Sequence, residues 1–521
     1  MPAKSKSPVT TIKVPAPVEG VNLAVSVDKL KSTEAAQLKG FEFSEYGVVG
    51  VARAPRNLGG ISAGTRVLAA KVFDRGASPP ALFVHLSDGS IGYSVDFSTT
   101  TTLANWTFIL TGQGQLPASF VQFLDAMWIS TFGIGFHKVD ASMVLTSYPS
   151  APKGFAMAVW RDTLWQGNVG GSKDRLVSSG PGDPAVWPAL NFVEIGKGEE
   201  GHGIVGLWPS EASLAIFKPN RTHVMFDPVD YTNRILDPDK GLAARDSLIS
   251  HQGKTYFISH FGICRYLGDG PSSVVSQKLQ PLFDDVSAWK YGTDFSQRVS
   301  VPSRGGGSSY SFGDVIGFHL PGNVTSPYVK WYPDLPEAPW VFGVPASEPS
   351  PDRQMRFVTS RRMVVIDGAA VQWEQNQLYE ISGNPATLFR HYDMPVGTST
   401  LASEWDTSWQ DFEAPMDEKW LHMIQILHRG PVDVYVRSDF DRDGPTQVAA
   451  ALDHGEPELQ ESTIYCDSYG RSFQISVRNA TAGELKSQMA SGSANIAEVA
   501  RFQAGVAMLT MTATRLTSYH R

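Results

Sequence analysis

The residues best placed to do chemistry are three carboxylates at alternate positions before a glycine, Asp439-Phe-Asp441-Arg-Asp443-Gly444. Oxygen ligands at that spacing resemble the opening of a calcium-binding loop. The bidentate acid that should close such a loop falls at Ala450, which cannot ligate. An Asp/Gly-rich turn between two strands accounts for the same letters, so Asp439, Asp441 and Asp443 are kept as the weak metal candidate and no metal site is assigned.

Other constellations are weaker. Gly60-Ile-Ser-Ala-Gly64 spells a nucleophile elbow, but a Pro/Asn/Gly turn precedes it and the strand-like Thr65-Arg-Val-Leu68 follows, where the elbow needs a strand and then a helix. Gly201-His-Gly-Ile-Val-Gly206 spells a dinucleotide loop but runs into a strand instead of opening a helix. Gly180-Pro-Gly-Asp-Pro-Ala-Val-Trp187 reads as a rigid loop whose Trp187 plugs a core. The acid pairs Glu199-Glu200 and Asp284-Asp285 could serve glycoside hydrolysis in principle, yet a chain with 52 acids holds such pairs by chance. His251, His260 and Cys264 are near one another because adjacent strands put them there. No catalytic or cofactor-binding residue emerges, and no cofactor is expected.

Composition narrows the classes further. The chain has 521 residues, 42% of them hydrophobic and 18% charged, which supports a large core and leaves a weakly charged surface for protein contact. A net charge of −8 over this length argues against a general nucleic-acid coat, which needs clustered cations to displace counterions. The two cysteines, Cys264 and Cys466, are read as buried free thiols of a protein made in a reducing compartment. Met1 to Lys13 has lysines but no apolar run after them, no stretch approaches the roughly 18 apolar residues of a membrane span, and the glycosylation-like triplets at Asn220, Asn323 and Asn479 are read as chance.

The elements that would carry any site are strands. Leu82-Phe-Val-His-Leu86, Ser87-Asp-Gly-Ser90 and Ile91-Gly-Tyr-Ser-Val95 form a hairpin signature, glycine supplying the positive φ of the turn. Loosely similar hairpins follow at Phe120–Ser130, Met157–Trp165, Ile204–Phe217 and Ser247–Ser259. A later one is read as Arg356–Thr359, Met363–Ile366, the Asp367-Gly368 turn and Ala370–Trp373. Recurrence at roughly 40–50 residues is the spacing of propeller blades. A set of sandwiches is the alternative. Residues 289–350 are expected as long loops or a divergent blade. A short helix is expected from Ser32 to Lys39, capped by Ser32, and another after the Thr481-x-x-Glu484 box. The expected fold is thus all-β, a β-propeller-like domain with a C-terminal β-sandwich and little helix. The expected domains are an N-terminal arm with a short helix over 1–47, the propeller over 48–385 and the sandwich over 386–521.

One succession is distinctive beyond its physics. It runs from Asp174-Arg-Leu-Val-Ser-Ser-Gly180 through Trp187-Pro-Ala-Leu-Asn-Phe192, Ile204-Val-Gly-Leu207 and Leu214-Ala-Ile-Phe-Lys218. Gly241-Leu-Ala-Ala-Arg-Asp-Ser247, Gly253–Gly262 and Val275-Ser-Gln-Lys-Leu-Gln-Pro-Leu-Phe283 complete it, and Gly20–Leu30 opens the chain in the matching style. This order resembles the β-propeller nozzle, or tail-hub, proteins of short-tailed bacteriophages over most of residues 20–385. The resemblance implies a virion structural protein of the phage tail, assembled in the host cytoplasm, and no enzyme. It implies a hexameric homo-oligomeric ring below the portal and its adaptor, carrying fibres or a needle. Such a ring extends the DNA channel, retains the genome and guides its ejection, with genomic DNA passing unbound by sequence and no membrane contact. A propeller glycosidase or depolymerase, or a receptor-binding or scaffold propeller, is the alternative.

Overall fold

The computed structural model describes residues 9–283, 306–391, 404–479 and 505–515, short stretches within them excepted. The regular structure of the described residues is almost entirely strand, with 3-10 turns at Arg245–Ser247 and Gln277–Leu282. Six separate four-stranded antiparallel sheets form propeller blades. The first five are consecutive meanders that begin with the strands Val67–Phe73, Ser119–Phe123, Gly154–Trp160, Gly206–Pro209 and Ile249–His251. The sixth such sheet begins at Arg356–Ile366. Between the fifth and that last blade comes another meander, Ser308–Phe312 to Trp340–Gly343, which is part of a larger sheet. Seven first strands therefore line one central cavity.

The last blade is closed by sequence from the other end of the chain. Its fourth strand is Arg56–Ser62, hydrogen-bonded antiparallel to Ala386–Arg390. This clasp joins the ring's two ends.

The hairpins form where the sequence placed them. Strand Ala81–Leu86 pairs with Ile91–Ser94 across Asp88-Gly89, with Gly89 at φ +81°. The second and third blades use non-glycine pairs in the left-handed region, Leu124-Asp125 and Arg161-Asp162, and the fifth uses Gln252-Gly253. Two successive positive φ values give the turn whose twist matches paired strands. Blade strands must bury both faces, and all six positions of Ala81–Leu86 and of Ala126–Thr131 are buried. Faces interlock from blade to blade. Phe73 and Phe83 of the first blade pack with Phe120 and Met127 of the second, and Phe217 of the fourth packs with Phe257 and Cys264 of the fifth.

Several expectations need correction. Residues 289–350 hold the four-stranded meander just described, as the divergent-blade reading had it, and 284–305 lie outside the described residues. Arg356–Ile366 is a single strand paired along its length with Ala370–Ser382, so the two segments read as separate strands are one. The helix expected over Ser32–Lys39 is not formed at the described positions 33–39, and Ser32 lies outside the described residues. Gln37–Lys39 is a strand, with Ala35 and Leu38 fully buried, and tertiary pairing overrides local helix preference there. The helix expected after Thr481 lies outside the described residues.

The N-terminal and C-terminal segments are interwoven. The seventh meander continues from Trp340–Gly343 through Gln37–Lys39, Glu404–Asp406, Phe473–Asn479 and Val432–Ser438 to Thr446–Leu452, forming nine strands. A second sheet combines Phe41–Glu45, Val48–Val51, Gly505–Arg515, Lys419–Arg429 and Gln460–Gly470, with Val9–Pro15 paired to Gly505–Arg515. Val434, Val436 and Ile475 of the first sheet share one apolar cluster with Leu421, Ile424 and Met511 of the second. The same cluster holds Tyr256, Phe318 and Trp340 of the propeller.

Candidate functional site

At the centre of the propeller lies an open cavity of about 570 Å³. Its charged lining is Lys71 and Asp74 from the first blade, Arg245 and Asp246 from the 3-10 turn before the fifth, and Arg356 from the last.

Asp246 is gripped on both oxygens. Arg245 Nε lies 3.0 Å from Oδ1, and Arg356 Nε lies 3.1 Å from Oδ2. Both guanidinium groups also cap backbone carbonyls. Arg245 donates to Pro117 O, Ala118 O and Phe155 O at 2.7–3.0 Å and stacks on the Phe155 ring. Arg356 donates to Leu68 O, Gly306 O and Met355 O at 2.8–2.9 Å. One acid and two cations thus tie together the first, second, third and last blades and the start of the seventh meander. Burial alone would push the Asp246 carboxyl up. The charges of Arg245 and Arg356, the Arg245 hydrogen bond and Lys71 outweigh it and hold the acid below the usual carboxylate range.

Lys71 differs from the two arginines. It sits in the middle of an inner strand, its side chain open to the cavity, and no hydrogen bond or ion pair holds its ammonium among the described residues. The surrounding protein lowers its affinity for a proton, and Asp246 opposes that. Because the cavity leaves Lys71 accessible to solvent, the penalty from enclosure is smaller than for a dry interior.

The residues singled out in the sequence fall elsewhere. Asp439 follows the strand Val432–Ser438, and its Oδ1 accepts from the amides of Arg471 and Ser472 at 2.7 and 3.2 Å, a turn-holding role. Asp441 and Asp443 lie outside the described residues, as do Glu199-Glu200, Asp284-Asp285 and the start of the Gly201–Gly206 motif. Ser62 ends the clasp strand, with no helix after it among the described residues. Trp187 packs edge-on against Phe136 at 5.7 Å, the core-plugging role expected for that loop. His251 bonds Ser311 Oγ at 2.9 Å, and Cys264 is buried in another strand. No group of three or more potential metal ligands occurs among the described residues. The two thiols differ from each other: burial pushes Cys264 up to about 12, whereas Cys466 is only half-buried and stands at about 11.

The cavity cluster was not anticipated as chemistry. Arg245-Asp246-Ser247 stood within the distinctive block, and nothing local marks it as meeting Arg356.

No family model matches the chain, and no curated protein matches it. Among solved structures, it is similar to an extracellular domain of BT4673 from B. thetaiotaomicron, at 8% identity with a TM-score of 0.38. That match covers 71% of this chain and 43% of the other, so this chain spans less than half the length of that protein. BBS1N, solved in complex with ARL6DN, matches at 10% identity and a TM-score of 0.39, covering 65% of this chain and 98% of that one. PorZ, from the type-IX secretion system of Porphyromonas gingivalis, matches at 13% identity and a TM-score of 0.34, covering 68% and 44%. None of these likenesses says what this chain binds or does. The class is defined by the strand pairing itself: an all-β propeller with a clasped ring.

Proposed function

We propose that this chain is a structural assembly subunit, one copy in a ring that extends the DNA channel of a short phage tail. The observation that carries the reading is the nine-stranded sheet. It runs without a break from a propeller meander into the C-terminal strands, and the N-terminal strand Gln37–Lys39 is its joint. A subunit that must hold shape under load needs no hinge between its parts, and this sheet supplies the hydrogen bonds to do without one.

The axis of the propeller supports the same reading. Arg245, Asp246 and Arg356 cross-link it, so the axis of one propeller is spanned by paired side chains and is not an open bore for a duplex. A strand guided by this protein would therefore run between subunits. The sequence block from Asp174 to Phe283 supplies the specific assignment to a tail nozzle, six-fold, docked on a portal and adaptor and bearing fibres or a needle. A mild net charge of −8 suits a channel along which DNA slides without trapping.

Hydrolysis has less support. The carboxylate held deepest in the cavity cluster, Asp246, is paired on both oxygens by guanidinium groups and kept ionised, which suits neither a proton donor nor a free base. Electron microscopy of the purified chain, alone and with its portal complex, tests the proposal. Six-fold rings with a central hole are expected. Isolated discs in both preparations would overturn it.

A further inference from the structure

We infer that the central cavity is a binding site for a small oxyanion of the phosphate or carboxylate class, held by Lys71. This does not depend on the nozzle reading.

The argument is one of donors and charge. Three cations line the cavity against two carboxylates. Asp246 is committed to Arg245 and Arg356. Asp74 is exposed, and its Oδ1 accepts from the Gly76 amide. Arg245 and Arg356 spend most of their N–H groups on main-chain carbonyls that fasten the inner strands together. Lys71 alone of the three keeps all its donors. An ammonium offers three, and that of Lys71 is exposed to the cavity, so all three are available to a ligand.

The cavity supplies the rest of a polar site. Thr359, from the adjacent inner strand of the last blade, and Ser119, from that of the second blade, both line it. These two strands flank the one that carries Lys71, and neither hydroxyl makes a hydrogen bond among the described residues. Both can donate to an oxyanion. The volume lies within the roughly 300–1,000 Å³ of small-ligand sites, large for one ion and its water and too small for a polymer. The surplus positive charge selects an anion, and the hydroxyls favour one with several oxygens over a halide.

Isothermal titration of the full chain with inorganic phosphate and with acetate, against chloride at equal ionic strength, tests this. Saturable heat is expected with at least one of the two. Lys71→Met should weaken it at least about tenfold, whereas Lys71→Arg should largely retain it. In phosphate-free buffer Lys71→Met should melt at or above the temperature of the unsubstituted chain, since the substitution breaks no hydrogen bond or ion pair among the described residues. A purely structural lysine predicts the reverse, a lower melting temperature with no change in anion response. No saturable heat, equal affinity in Lys71→Met, or failure of that variant to fold would each overturn the inference.

Discussion

Arg356 Nε and Asp246 Oδ2 meet at 3.1 Å in the middle of the propeller, joining the last blade to the turn that opens the fifth. The same Arg356 nitrogen donates to Leu68 O at 2.9 Å, 288 positions away in sequence. A contact of this kind can form only once the ring has closed, so it reports closure. Removing the acid leaves two guanidinium groups facing each other with no counter-charge. Asp246→Ala should therefore destabilise the chain by about 3–5 kcal/mol, the range for breaking one side of a buried pair, as read by urea denaturation. The acid's pKa is depressed in the folded protein, so its contribution is present above the unfolded carboxylate pKa and is lost as pH falls below it. Asp246→Ala should accordingly lose its penalty in strong acid.

The clasp makes a second expectation. Leu58 is fully buried in the strand Arg56–Ser62 and packs with Leu82 and Val84 of the first blade and with Tyr379 and Ile381 of the last. Truncating it removes apolar contact on both sides of the seam that this strand closes. Leu58→Ala should cost about 2–5 kcal/mol, at the upper end if the cavity does not collapse. Hydrogen exchange gives the sharper readout, because the partner strand Ala386–Arg390 should lose protection before the second and third blades do. Uniform loss across all blades would show that the clasp is not a local seam.

Much of the propeller was legible because its signals are local. Short turns such as those at Asp88-Gly89 and Leu124-Asp125 sit between apolar runs, and those runs became strands. The closing strand was not legible. Arg56–Ser62 carries two glycines and little alternation, and what makes it a strand is the free edge of Ala386–Arg390. The segment read as a helix from Ser32 to Lys39 misled for the same reason in reverse, the helix formers of Gln37–Lys39 being drawn into a sheet by Trp405 and Phe342 on either side. The cavity cluster lay deeper still. Lys71, Arg245 and Arg356 are unremarkable in sequence, and only the ring brings them to one axis.

Reactivity of the thiols follows from their surroundings. Only the thiolate attacks, and burial pushes Cys264 up to about 12 while Cys466 stands at about 11. Native protein at pH 8 should leave Cys264 unlabelled by iodoacetamide over hours, with Cys466 modified slowly, and both should react promptly in denaturant. Peptide mass spectrometry distinguishes the two sites. Prompt native labelling of Cys264 would mean that the packing between the fourth and fifth blades opens readily.

Asp406 gives the clearest pH dependence. It lies in the strand Glu404–Asp406, where the sheet passes from N-terminal to C-terminal residues. Burial raises its pKa to about 6, and Glu404 adds to the rise. The Ser476 hydroxyl, which donates to Oδ1, and the charges of Arg478 and Arg437 oppose it. An acid whose pKa is raised on folding binds its proton more tightly in the folded state. Its stabilising contribution is complete below the unfolded value near 3.8 and is lost as pH climbs through about 6. His85 works in the opposite sense. Burial lowers it to about 4 while its Nδ1 accepts from the Ala118 amide, so its contribution is lost as pH falls from its unfolded value of 6.5 towards 4. The two slopes oppose each other across the same window, and the whole-chain profile will not separate them. Asp406→Asn will. It keeps the shape and an acceptor for Ser476, and it should be more stable than the unsubstituted chain at pH 7 by about 2–3 kcal/mol, the worth of a shift of this size. The advantage should vanish at pH 4. Thermal melts at both values measure it, and an advantage that persists at pH 4 would assign the gain to packing instead of to the proton.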